Sequence, residues 1–174
     1  MVYYAGIGSR ETPSGIIALF ERVAAYLAQQ GFVLRSGHAD GADIAFEKGC
    51  DKAGGKKEIY LPWVGFNGSS SNLIVKDKRA FEIAEKFHPY WNNLKAGATK
   101  LHARNTHQIL GRDFDTPSAF VLCWTKDGAK IGGTAQAIRI AERYGVSVCN
   151  VGRCDDVNAA RAVIRGFLGL PKEN

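Results

Sequence analysis

Short apolar runs rich in β-branched and aromatic residues alternate along the chain with longer segments of helical period. Val2–Ile7 is almost continuously apolar and stops at Gly8-Ser9-Arg10, the pattern of a strand covered on both faces. Thr12 followed by Pro13 predicts a helix start, with threonine as N-cap and proline at the first helical position. Ile16, Leu19, Phe20, Val23 and Leu27 then recur on one helical face until Gly31 supplies a stop. Phe32–Leu34 is a second strand, followed by the turn-rich SGHADGAD and a helix carrying Ile44, Ala45 and Phe46. Glu58–Leu61 is a third strand, ended by Pro62.

The rhythm then breaks. Trp63–Asn72 predicts a Gly/Ser loop, Lys76–Phe87 a helix, and Thr99–Leu110 another, with His88-Pro89-Tyr90-Trp91 between them as a packed elbow or a lid. Ala119–Cys123 is a fourth strand and Thr134–Tyr144 a helix stopped by Gly145. Val146–Val151 is a fifth strand, and Asp155–Leu168 a helix with Val157, Ala160, Ile164 and Phe167 on one face. Strand and helix alternating at this spacing predict an α/β fold, a single doubly wound parallel sheet of about five strands with helices on both faces. The expected order is 3-2-1-4-5, in one domain over residues 1–174 with a helical and loop insertion at about 63–112.

A chain of 174 residues, 45% of them hydrophobic, can bury a core without disulfides or metal. The formal charge of +6 is spread along the chain and favours an anionic partner, nucleic acid or a small phosphorylated ligand. No stretch approaches the roughly 20 apolar residues of a membrane span, and MVYYAGIGSRE has no basic region ahead of an apolar run. Cysteines 50, 123, 149 and 154 form no C-x-x-C pair, so neither zinc nor a disulfide framework is expected. The expectation is a reduced, soluble, cytoplasmic protein without metal, cofactor or membrane partner.

In such sheets ligands bind beyond the carboxyl ends of the strands, where the strand order reverses. The residues just after the strands are small and polar: Gly8-Ser9-Arg10, Ser36-Gly37-His38-Ala39-Asp40 and Gly132-Gly133-Thr134. In GIGSR the glycines admit a ligand close to the backbone, and Ser9 and Arg10 donate to phosphate, although a plain tight turn uses the same residues. In IGGTAQAIRIA two glycines lead into Thr134 at a helix start, where free N–H groups and the positive end of the helix dipole attract an anion. Capping alone would also explain Thr134. Asp40, Asp43 and Glu11 are the carboxylates near this mouth. An N-cap role explains Asp40 and Asp43 without a ligand, and a solvated first-turn position explains Glu11. His38 and Trp124 follow strands and are candidate contacts. His102 points away from Arg104 on a helix, whereas Gln108, four positions on, shares the Arg104 face.

Taken together, GSR, RSGHADGAD, LHARN and GGT resemble the SLOG superfamily of Rossmann-like proteins, over about Tyr3 to Val151. That superfamily includes the DNA-processing protein DprA, molybdenum-cofactor carrier-like proteins and the Lonely guy phosphoribohydrolases. GSR followed by SG-x-A-x-G-x-D resembles the DprA side, and small phage-encoded proteins of DprA-like type are similar. LHARN before GGT resembles the hydrolase pattern M-H-x-R-K before P-G-G-x-G-T-x-x-E. The resemblance implies ligand contacts from Arg104, Asn105, Gly132, Gly133, Thr134 and the neighbouring Gln136. It also departs from the pattern: one loop glycine is missing, and Ala137 stands where the hydrolases place glutamate. An N-glycosidase needs a carboxylate there to stabilise an oxocarbenium-like state or activate water.

Three functions remain in view. The first is binding of a nucleotide or nucleotide-derived ligand by a sensor, carrier or sequestering protein. The second is hydrolysis of a nucleoside monophosphate at its N-glycosidic bond by Arg104 and another carboxylate, and the third is DprA-like binding of single-stranded DNA. The expected anion site joins Arg10, Arg104 and Thr134. The aromatic insertion and the resemblance to dimeric hydrolases imply a homo-oligomer.

Overall fold

The central apolar runs become the inner strands of one sheet in the computed structural model, which describes residues 1–171. Six strands are present: β1 (Val2–Gly8), β2 (Phe32–Ser36), β3 (Lys57–Leu61), β4 (Leu73–Ile74), β5 (Phe120–Trp124) and β6 (Ser147–Asn150). The helices are α1 (Ser14–Gln29), α2 (Ala42–Lys52), α3 (Lys78–Phe87), α4 (Ala96–Leu110), α5 (Gly132–Arg143) and α6 (Val157–Phe167). The sheet is parallel throughout, in the order β4-β3-β2-β1-β5-β6. The five expected strands keep their expected order. The sixth, β4, is two residues long at the edge beside β3, within a Ser-rich stretch too short to show a period.

Alternation along the strands divides the core into two layers, because successive side chains leave a strand on opposite faces. Tyr4, Leu34, Leu61, Leu122 and Cys149 pack with α1, α2 and α6. Ala5, Ile7, Val121 and Cys123 pack with Ile109 and Leu110 of α4 and with α5. Phe20 and Phe46 stack at 4.4 Å in the first layer. Gly6 makes room for Phe46: a Cβ there would stand 2.5 Å from its ring.

Several boundaries move, each for a local reason. Pro13, not Thr12, is the N-cap of α1; the Thr12 hydroxyl donates instead to Ser9 O at 2.6 Å, closing the β1–α1 turn. Helix α4 starts at Ala96, ahead of the expected Thr99, so Arg104 and Asn105 lie in its middle. Its second half, from Ala103 to Leu110, is buried and forms part of the layer over the second sheet face. Helix α5 starts at Gly132, which places Thr134 inside the first turn. Among the described residues no helix is long and apolar enough to cross a membrane, and the four cysteines are free thiols.

Phe46→Ala should cost about 3–5 kcal/mol of stability, since it opens a cavity beneath Tyr4 and Phe20. Urea unfolding should show a lower midpoint at unchanged slope. A shift of a few tenths of a kcal/mol would mean the first layer is not packed as described.

Candidate functional site

Chain leaves β1 for α1 on one face of the sheet and leaves β5 for α5 on the other, so the ends of these neighbouring strands diverge. Such a divergence opens a crevice. A cleft of about 420 Å³ lies there, lined by the end of β1, the start of α2, one side of α4 and the first turn of α5.

Ser9 shapes the rim. Its N–H donates to Trp124 O at 3.1 Å, and its carbonyl accepts the Thr12 N–H and hydroxyl. Gly41, at φ +85°, lies so close that a Cβ would stand 2.5 Å from Ser9 O. The Arg10 side chain is exposed and makes no hydrogen bond or ion pair among the described residues. Across the cleft, α5 begins with no side-chain cap and no acidic residue in its first turn. The N–H groups of Gly132, Gly133 and Thr134 are therefore open donors at the positive end of a 12-residue helix. Asn105 steadies this turn by donating from Nδ2 to Gly133 O at 3.0 Å.

Asp43, Arg104 and Gln108 form the floor. Arg104 is 5% exposed. Its Nη1 donates to Gly37 O and, at 3.4 Å, to Tyr60 O, while Nε reaches Leu101 O at 3.5 Å. One guanidinium thus ties α4 to the ends of β2 and β3. Burial lowers its pKa, and the nearby Asp43 charge opposes that shift. Asp43 is 3% exposed and accepts the Gly8 N–H on Oδ1 at 3.2 Å. Burial pushes its carboxyl up to about 6, against the pull of Arg104 and of the N–H groups of Ala39, Gly8 and Gly37.

Of the residues expected at the site, Gly8, Ser9, Arg10, Glu11, Asp43, Arg104, Asn105, Gly132, Gly133 and Thr134 line the cleft. The others do other work. Ser36 donates to Gly6 O at 2.6 Å, and His38 pairs with Glu47 at 2.7 Å. Gly37 lies behind Arg104, Asp40 is exposed, and Gln136 donates to Ala84 O at 2.8 Å beneath α3. Trp124 borders a neighbouring hollow of about 550 Å³, which shares Glu11 with the cleft. Asp40 and Asp43 are not N-caps; Gly41 holds that place in α2. His102, expected to point away, lines the cleft beside Arg104 and packs on His88 at 4.4 Å. The cleft spans more than one stripe of α4: Ala98, Leu101, His102 and Asn105 follow one helical row, and Leu101, Arg104 and Gln108 the next. Leu101 and Ile131 also line it and carried no signal of their own in the sequence, and Ala137, noted there as a departure from the hydrolase pattern, lines it too. Among the described residues no cluster of three metal-ligating side chains exists.

The strand order and the placing of this cleft define a doubly wound, Rossmann-like α/β protein. A solved structure with the same architecture is the Moco carrier protein of Chlamydomonas reinhardtii, at TM-score 0.56 and 16% identity, covering 97% of this chain and 99% of that one. A second structure, described as the molybdenum cofactor carrier protein from the same alga, matches at TM-score 0.43, 15% identity and the same coverage. No protein-family model and no curated protein sequence matches the chain.

Arg104→Ala strips buried hydrogen bonds from two strand-end carbonyls, so it should destabilise the fold by roughly 3 kcal/mol or more, and not act on ligand binding alone. Urea unfolding of the variant measures this, and an unchanged midpoint would contradict the tie. Asp43 gives a second test. Its folded pKa lies above the ordinary 3.8, so the folded state holds the proton longer and stability falls as pH rises from about 4 to 6. The full difference is roughly 3 kcal/mol. Asp43→Asn should remove that share of the slope, and unfolding profiles of parent and variant that run parallel between these pH values would show an ordinary carboxyl.

Proposed function

We propose that the cleft binds a nucleotide or nucleotide-derived phosphorylated small molecule and holds it without turnover, as a carrier, sensor or sequestering protein does. One observation carries this reading. The unpaired guanidinium of Arg10 and the uncapped N-terminus of α5 line the same cleft at the β1/β5 divergence. Both favour an anion, and a phosphate accepts from an arginine fork and from backbone N–H groups together. Ala137 supports binding over turnover, because its methyl group lines the cleft where the hydrolase pattern resembled by the sequence has a carboxylate. The likeness in fold to a protein described as a carrier points the same way.

One observation favours a second reading, hydrolysis of a nucleoside monophosphate to free base and ribose phosphate. Asp43 puts a carboxyl titrating near 6 on the cleft floor, within the range of a general acid or base. Chromatography for free base after incubation with each nucleoside monophosphate separates the two readings. Base released by the parent and not by Asp43→Asn would replace binding by catalysis. We also propose self-association through the segment at about 63–112, where Trp63, Val64 and Tyr90 are exposed. Light scattering should give a mass above the 18.9 kDa of one chain.

A thermal-shift screen of nucleoside mono-, di- and cyclic phosphates tests the main reading. A ligand at 100 times its Kd stabilises by about 2.7 kcal/mol, which moves the melting curve by several degrees. Arg10→Ala should weaken the ligand found by about tenfold or more while leaving the free protein's Tm unchanged. Thr134→Ala should lose less, because its backbone N–H remains. A screen in which nothing shifts the Tm refutes the reading.

A further inference from the structure

His102 lines the cleft on the row of α4 that also carries Ala98 and Asn105. Its neighbours say where it stands relative to the anion donors. Asn105, three residues on and about 4.5 Å further along the helix, donates to Gly133 O in the first turn of α5. Gln136, three residues beyond Gly133, meets the imidazole from α5 as a hydrogen-bonding neighbour. The ring is thus held about one turn of α4 from the open N–H groups of Gly132, Gly133 and Thr134.

The two ring nitrogens face different surroundings. Nδ1 is buried and has no partner among the described residues, and the same is true of Gln136 Oε1. An amide oxygen only accepts, so the group that matches it is a protonated Nδ1. Gln136 cannot turn its amide round, because Nε2 already donates to Ala84 O at 2.8 Å. A proton on Nδ1 leaves His102 Nε2 with a bare lone pair. Nε2 makes no hydrogen bond among the described residues and is not one of the buried atoms, so it is the nitrogen on the open side of a ring that lines the cleft.

The surroundings keep the imidazole neutral. Burial lowers its pKa below the ordinary 6.5; the His88 ring at 4.4 Å, Arg104 of α4 and Arg139 of α5 lower it further, and Gln136 opposes them. His88 is itself held low by burial and by Arg139. Asp43 and Glu11 line the same cleft, but the charges that weigh most on His102 are positive. A phosphate dianion at the rim reverses that balance, since an opposite charge within roughly 4–6 Å favours the protonated ring.

Resting on the phosphate reading above, we propose that His102 is a binding residue charged only together with its ligand: Nε2 takes up a proton as the phosphate arrives and donates it to a phosphate oxygen. The proton comes from solvent or from the acidic hydroxyl of the phosphate itself. Gln136 is the positioning residue, holding Nδ1–H so that Nε2 faces the anion. The cleft then takes one dianion with one proton and binds more tightly in acid.

The experiment follows the imidazole Cε1–H resonances of the full chain by NMR between about pH 5 and pH 8, alone, with inorganic phosphate and with sulfate, which stays doubly charged throughout. The His102 resonance is the one missing from His102→Gln. Sulfate should move its midpoint upward, and the ring nitrogen shifts of the neutral form should show the proton on Nδ1. The parent should bind sulfate about tenfold more tightly at the acid end than at the basic end, a usual size for coupling between two sites. His102→Gln should remove most of that ratio and Asp43→Asn should keep most of it. Arg10→Ala should weaken sulfate at both ends and keep the ratio. A His102 midpoint indifferent to sulfate, or a neutral ring protonated on Nε2, overturns the proposal and leaves the phosphate reading standing. So does a ratio that survives His102→Gln and vanishes in Asp43→Asn, which assigns the proton to the floor carboxyl. Should His102→Gln fail to fold, the midpoint in the parent decides, with the resonance assigned through the covalent backbone. If neither sulfate nor phosphate binds, the phosphate reading fails and takes the proton uptake with it.

Discussion

A buried guanidinium has to be satisfied where it lies, and the Arg104 side chain dictates much of what surrounds it. At 5% exposure it cannot lean on water, so it donates to Gly37 O and Tyr60 O at the ends of two strands. That need fixes how α4 sits against β2 and β3, and it excludes a Cβ at Gly37. It also sets a positive charge near Asp43, which helps a carboxyl survive at 3% exposure in the same cleft. Remove the arginine and the floor loses both its shape and its charge balance.

Above that floor, donors line both sides of the cleft, with Glu11 the one carboxylate beside them among the described residues. Ser9, Arg10 and the open first turn of α5 present donors from two strands that are hydrogen-bonded neighbours, so their spacing is inherited from the sheet. Rigid placement of this kind lowers the ordering cost of binding a small anion. The turn after β1 is closed by its own backbone and by Thr12, leaving the Arg10 side chain uncommitted. In one cleft, then, the bonded arginine braces the floor and the unbonded one stands exposed at the rim.

Sequence patterns exposed a good part of this. The apolar run of β1, the stops at Gly31 and Gly145 and the face of Ile16, Leu19 and Phe20 are local signals, and the elements they predict are present. The GSR and GGT segments were legible for the same reason, since glycine and small polar residues after a strand reflect local backbone demands. β4 was not legible, because two residues show no period and its pairing with β3 is a tertiary event. His38 looked like a ligand contact but found Glu47, a partner nine residues on that only the packing of α2 against β2 supplies.

By itself the sequence determined the alternation of strands and helices that a doubly wound sheet needs and the three segments that follow its strands, because hydrophobic periodicity and turn chemistry act over a few residues. Only the tertiary structure decided how those residues are shared out. It committed Arg104 to two carbonyls, buried Asp43 beside it, sent Gln136 to α3 and left Gln108 Nε2 without a partner. The physical reason is that hydrogen-bond satisfaction and desolvation depend on which distant groups share a buried volume, and Arg104 meets its acceptor at Gly37 across 67 residues of chain.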